Sequence, residues 1–298
     1  MSVDESTGAA SQVGSAPHPQ AIAAMGPLRA IDAKRGDLWF LGDTGLGATL
    51  AQLSLADGTV KNECQVPGIE EVEYVGIGQT LELDAATDSL VMSGATTKGT
   101  HHFLRMPLGS PCANFSVVGD VPFGVELPMI MGSAIDTASQ RLFFTVSNDA
   151  GSAHGVAVVD LATGNLTRVM PYLTDVYLGG MVWADGAGAD GKGALIGVQI
   201  GGSGLVLLTL SPDSGSLSSK PIDTGSFDFD QLLGNDGVVL AHDAKNGLLF
   251  VPLGKHTEDD VMYIAKVDIA QAKVTSAPKL TVDAGIAELL MLEYLAPQ

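Results

Sequence analysis

Residues 134–146 read AIDTASQRLFFTV: a short apolar lead, an aspartate at 136, a few small or polar residues, then a run of strand formers. An Asp followed by small polar residues closes a tight turn by hydrogen bonding its own backbone, and Leu-Phe-Phe-Thr-Val favours extended structure. The pattern is therefore strand, turn, strand. It occurs four more times, as AIDAKRGDLWFLG (30–42), ELDAATDSLVMSG (82–94), WADGAGADGKGALIGV (183–198) and AHDAKNGLLFVPL (241–253). The five turn aspartates, Asp32, Asp84, Asp136, Asp185 and Asp243, stand 52, 52, 49 and 58 residues apart. Self-similarity at such a period signals a repeat architecture.

Each unit continues in the same way. A loop leads to a second apolar strand: ATLAQLSL (48–55), HHFLRMPL (101–108), GVAVVDL (155–161), GLVLLTL (204–210) and VMYIAKVD (261–268). In four units a Gly follows in or near the next turn, and then a weaker, polar strand. Four strands in about 50 residues make a propeller blade. In blade order, strand A ends at the turn aspartate, and B, C and D step outward. The chain resembles β-propellers in general through these repeats over residues 20–298, without a WD or kelch signature. The reading is all-β: a propeller of five four-stranded blades, with six as the alternative. The last segment, AGIAELLMLEYL (284–295), closes the ring or belongs to a sixth blade. Residues 1–19 read as a flexible polar tail, and 20–298 as a single propeller domain.

The charge narrows the partners. The chain carries 15 Lys and Arg against 34 Asp and Glu, a formal net charge of −19, which argues against nucleic acids and anionic membranes and suits cations. No apolar run reaches the roughly 18 residues of a membrane span. The start, MSVDESTGAASQ, has neither a basic nor an apolar segment of the kind a signal peptide needs. The expectation is a soluble, cytoplasmic protein whose partner is a small molecule or another protein.

A second cadence precedes the repeat. A polar or acidic residue stands six positions before a glycine at Gln20, Glu70, Glu126, Thr174 and Asp228. These positions fall in the D-to-A connections, so they should surround the channel mouth on one face. Glu70, Glu126, Asp175 and Asp228 are the candidate metal ligands. Converging carboxylates repel, and oxygen-only donors suit Ca²⁺. B-to-C loops share that face. His102 and His154 each fall 18 residues after a turn aspartate, and His256 lies in the matching loop of the fifth repeat. These three are the candidate general bases.

The layout resembles gluconolactonase- and paraoxonase-type propellers, which implies a central Ca²⁺ held by acidic and amide residues, although those families' inner-strand asparagines have no clear match here. Three functions compete. The first is an acidic binding module for a small cationic ligand or a protein, around a central divalent cation. The second is a Ca²⁺-dependent hydrolase of a lactone or ester. The third is a glycan-binding or glycan-cleaving propeller, disfavoured by 5% aromatic residues.

Other signals are weaker. GAGADGKG (186–193) nearly spells a phosphate-binding loop but lacks the final Ser or Thr and is followed by a strand, so it reads as an A–B hairpin. Cys64 and Cys112 fall in neighbouring repeats; they could pair, but free buried thiols are the expectation in a reducing compartment. Two glycosylation sequons, at Asn114 and Asn165, are the kind of match that chance supplies.

Overall fold

The computed structural model describes residues 2–7, 9–11, 13, 28–43, 48–69, 80–95, 100–122, 130–147, 153–173, 180–201, 204–227, 229, 231–232, 240–254 and 261–280. All the regular elements among them are strands. Strands β1 (Ser2–Val3) and β2 (Ala10–Ser11) form a hairpin. Blade 1 is β3 (Arg29–Asp32), β4 (Asp37–Asp43), β5 (Ala48–Ser54) and β6 (Val60–Gln65). Blade 2 is β7 (Thr80–Asp84), β8 (Ser89–Ala95), β9 (Thr100–Pro107) and β10 (Ser116–Pro122). Blade 3 is β11 (Ile130–Asp136), β12 (Arg141–Ser147), β13 (His154–Asp160) and β14 (Leu166–Leu173). Blade 4 is β15 (Val182–Ala184), β16 (Ala194–Gly201), β17 (Gly204–Ser211) and β18 (Ser216–Pro221). Blade 5 is β19 (Gln231–Leu232), β20 (Ala241–Asp243), β21 (Leu248–Gly254), β22 (Met262–Asp268) and β23 (Lys273–Ser276).

Every sheet is an antiparallel meander, and the fold is a five-bladed β-propeller. In blade 5 the inner position is shared by β19 and β20, both paired to β21. Gln231 stands opposite Gly254 and Ala241 opposite Phe250, so ten residues on the inner side match four on β21. The expected closure by residues 284–295 lies outside the described residues.

The chain divides into two compact units, Gly14–Val176 and Met1–Val13 with Tyr177–Gln298. In the first, blade faces pack against each other. Leu81, Leu90, Met92 and Leu104 of blade 2 join Trp39, Leu41 and Leu50 of blade 1. On the other face, Val91 and Phe103 join Leu142, Phe144 and Val159 of blade 3. A strand buried on both faces needs no polar alternation, which is why LFFTV and its counterparts read as continuous apolar runs. In the second unit, Ile196, Val198 and Leu207 pack with Leu249, Val251 and Val267. Within the segment expected as a tail, the β1–β2 hairpin is closed by Asp4, whose carboxylate accepts the Ser6 and Thr7 amides, and Ala10 packs on the Phe250–Ile264 cluster.

The turn aspartates do what the sequence suggested in four blades. Asp32, Asp84, Asp136 and Asp243 are buried and accept amides of Arg35, Thr87, Ser139 and Asn246, respectively. Asp185 departs: it is exposed and accepts the Trp183 indole N–H, because the A–B loop of blade 4 is longer. In blades 1, 2, 3 and 5 the residue before the B strand takes positive φ: Gly36 (66°) and Gly247 (64°), but also Asp88 (51°) and Gln140 (53°). That conformation disfavours a side chain. Both side chains tie neighbouring blades together. Asp88 receives Arg35 at 2.9 and 2.5 Å, and Gln140 donates to Asp84 at 2.9 Å while accepting Arg105 at 2.8 Å.

The two cysteines are bonded. Cys64 on β6 and Cys112 in the turn between β9 and β10 form a disulfide, with Cα atoms 5.7 Å apart, which corrects the expectation of free thiols. Sequence distance concealed this. The C–D turn of blade 2 is longer than its counterparts, and its Cys112 and Asn114 both take positive φ. It reaches the outermost strand of blade 1.

Candidate functional site

Strand pairing fixes which side chains share the end of a blade from which the D-to-A connection leaves. In blade 2, Thr80 opens the inner strand opposite Ser93, and their hydroxyls bond at 2.9 Å in a buried position. Ala95 stands opposite His101, and Val121 opposite His101 on the other side. Thr80, Ser93, His101, His102 and Asp120 therefore lie at that end. In blade 3 the same end holds His154, opposite Ser147 and Leu173.

The two histidines chosen for equal spacing are not equivalent. The hairpin from Ala95 to His101 is one residue shorter than that from Ser147 to His154. A one-residue difference in a hairpin turns the following side chains to the opposite face. The counterpart of His154 is therefore His101. Both are buried, at 1% and 6% exposure. Burial pushes the His101 imidazole down to about 3 and His154 in the same direction, so both are held neutral. The His101 ring lies 6.5 Å from Phe103, which itself lies 5.8 Å from Phe144 of blade 3.

His102 faces the other way. Its Nδ1 meets Oδ1 of Asp120, which is 60% exposed, across the β9–β10 pair. Its Nε2 lies against Gly68 in the connection leaving blade 1, where an added Cβ would stand 3.2 Å away. The register that pairs His102 with Asp120 depends on a bulge between Val117 and Gly119, which no pattern in the sequence announces. Ser133 on β11 donates to Glu82 on β7 at 2.6 Å, joining the inner strands of blades 2 and 3. Neither Asp120 nor Glu82 was singled out by the repeat, since neither sits on the cadence.

Glu70, Glu126, Asp175, Asp228 and His256 lie outside the described residues. Among the described residues no three His, Cys, Asp or Glu side chains converge as a metal site. No helix among them is long and apolar enough to cross a membrane.

Fold and blade ends together define a five-bladed β-propeller with polar and imidazole side chains gathered where the blades connect. No protein-family model matches the chain, and no curated protein matches it in sequence. Three similar solved structures share the fold. A chain of the nidogen–laminin complex is 13% identical, with 87% of this chain and 80% of that one covered and a TM-score of 0.55. A luciferin-regenerating enzyme is 14% identical, covering 87% and 77%, at 0.54. Regucalcin of Agrobacterium tumefaciens, a calcium-binding protein, is 13% identical, covering 87% and 75%, at 0.51. At these identities the likeness is one of fold.

Proposed function

We propose that this chain is an acidic binding propeller that holds a small cationic ligand or a protein partner around a central divalent cation, at the end of the blades where the D-to-A connections leave. The observation that carries the reading is that the buried aspartates of the A–B turns are taken up by structure, while the sequence puts further acids in the D-to-A connections. At the A–B turn end, Asp32, Asp84 and Asp136 are buried, bonded to their own turns and paired with Arg35, Arg105 and Arg141. Those acids are committed to structure. By sequence, Glu70, Glu126 and Asp175 stand in the D-to-A connections, away from the turn-aspartate positions of the repeat. Carboxylate oxygens suit a hard cation, Ca²⁺ before Mg²⁺, and the described end of blade 2 adds the buried hydroxyls of Thr80 and Ser93. Fold likeness to a calcium-binding protein supports the same reading.

Calorimetric melting in EDTA, followed by Ca²⁺ or Mg²⁺, tests it. A cation bound only by the native state adds about 2.7 kcal/mol at a hundredfold excess over Kd. The expected result is a Ca²⁺-dependent rise in Tm that Glu126→Gln reduces. No rise with either cation overturns the reading.

One observation favours a hydrolase at the same end. Asp120 orients the His102 imidazole, as an acid partner does for a general base. His102→Gln should then abolish turnover of a lactone or aryl ester while leaving cation binding intact; unchanged turnover removes His102 from that role.

A further inference from the structure

We infer that Asn114 and Asn165 are N-glycosylated, and that the chain matures in an oxidising secretory compartment. Two independent observations converge. The first is the Cys64–Cys112 bond: it joins the only two cysteines of the sequence, from adjacent blades, and disulfides persist where thiols are not kept reduced. Its formation removes two protons and two electrons from the two thiols, taken up by a disulfide oxidant that is itself reduced to a dithiol. The endoplasmic reticulum lumen, where N-glycans are attached, is one such oxidising compartment.

The second observation separates the sequon asparagines from the other described asparagines, Asn62 and Asn246. Asn62 donates its amide to Gln52 Oε1, and Asn246 donates to Asp243 Oδ2 at 2.6 Å. Asn114 and Asn165 are exposed, and neither side-chain amide is hydrogen-bonded among the described residues. Both sit in C–D turns, in N-F-S (114–116) and N-L-T (165–167), just before an outer strand begins. Asn114 takes φ of 57°, two residues beyond Cys112 in the same projecting turn. A glycan at either position would leave from the turn end of its blade, away from the end that carries His101 and His154.

The transfer balances with one co-reactant, a polyprenyl diphosphate-linked oligosaccharide. The Asn amide nitrogen bonds to C1 of the first sugar and gives up a proton. The C1–O bond to the diphosphate breaks, and polyprenyl diphosphate leaves.

The test uses the protein from its own cells. Intact mass is measured before and after peptide N-glycosidase, and thiols are alkylated before and after reduction. The expected result is a mass loss on deglycosylation, with Asp in place of Asn at 114 and 165, and no alkylation until reduction. Unmodified asparagine at either position overturns the assignment there. Two thiols open to alkylation without reduction overturn the compartment. Asn114→Gln and Asn165→Gln should each remove one glycan and leave Tm unchanged; a variant that loses Tm but no glycan mass would show the asparagine to be structural.

Discussion

Acidifying the protein from pH 7.5 to pH 5.0 should weaken it by way of His101. Its side chain is 1% exposed, and burial pushes its folded-state value down to about 3, against 6.5 for an unperturbed imidazole. The unfolded chain therefore takes up the proton first. Stability from this group is complete above about pH 6.5 and is lost as the pH falls towards 3, at about 1.4 kcal/mol per pH unit. By pH 5.0 the loss from His101 alone is about 2 kcal/mol. Burial depresses His154 and His242 in the same direction, so the whole protein loses more than this. Asp57, Asp88 and Asp160 are held below the usual carboxylate range by hydrogen bonds, so their protonation falls outside the window. The assay is urea unfolding at pH 7.5, 6.0 and 5.0 for the wild type and His101→Gln. Gln fills a similar volume and does not titrate. The variant starts from its own baseline, so the readout is the slope. The wild type should fall by about 2 kcal/mol more than the variant between pH 7.5 and 5.0. Equal slopes would refute the claim that His101 is buried and neutral between blades 2 and 3.

Other expectations follow from single contacts. Gln140→Ala removes the partner of buried Asp84 and of Arg105 and should cost about 1–3 kcal/mol in denaturant unfolding. Gln140→Gly loses the same bonds but relieves the positive φ, so it should be about 1 kcal/mol more stable than Gln140→Ala. Gly193→Ala would place a Cβ 2.0 Å from the Trp183 ring, and overpacking there should cost about 1–3 kcal/mol and disturb Trp fluorescence. Replacing both cysteines by Ser opens a crosslink spanning 48 residues, for which chain entropy gives about 4 kcal/mol of lost stability, read as a fall in urea midpoint matched by reduction of the wild type.

The fold was legible in the sequence because blades announce themselves through features that tolerate slippage. A turn aspartate such as Asp136 acts on its own backbone within three residues, so the local motif and its structural role coincide. An apolar run such as Leu142–Val146 is buried whichever way its residues point, and on one face Leu142 and Phe144 meet blade 2. Repeat counting needs nothing more. The same tolerance hides the site. Where both faces of a strand are apolar, the sequence carries no parity, and parity decides whether a histidine is sealed between blades or turned towards a neighbouring carboxylate. His101 and His102 are adjacent, and one residue of hairpin length separates the reading that pairs His154 with His102 from the register that pairs it with His101. The bulge that brings Asp120 to His102 and the long turn that brings Cys112 to Cys64 are departures of the same kind, small insertions against a regular repeat. In a propeller the repeat therefore locates the ends of each blade, and the irregularities decide which side chains meet there.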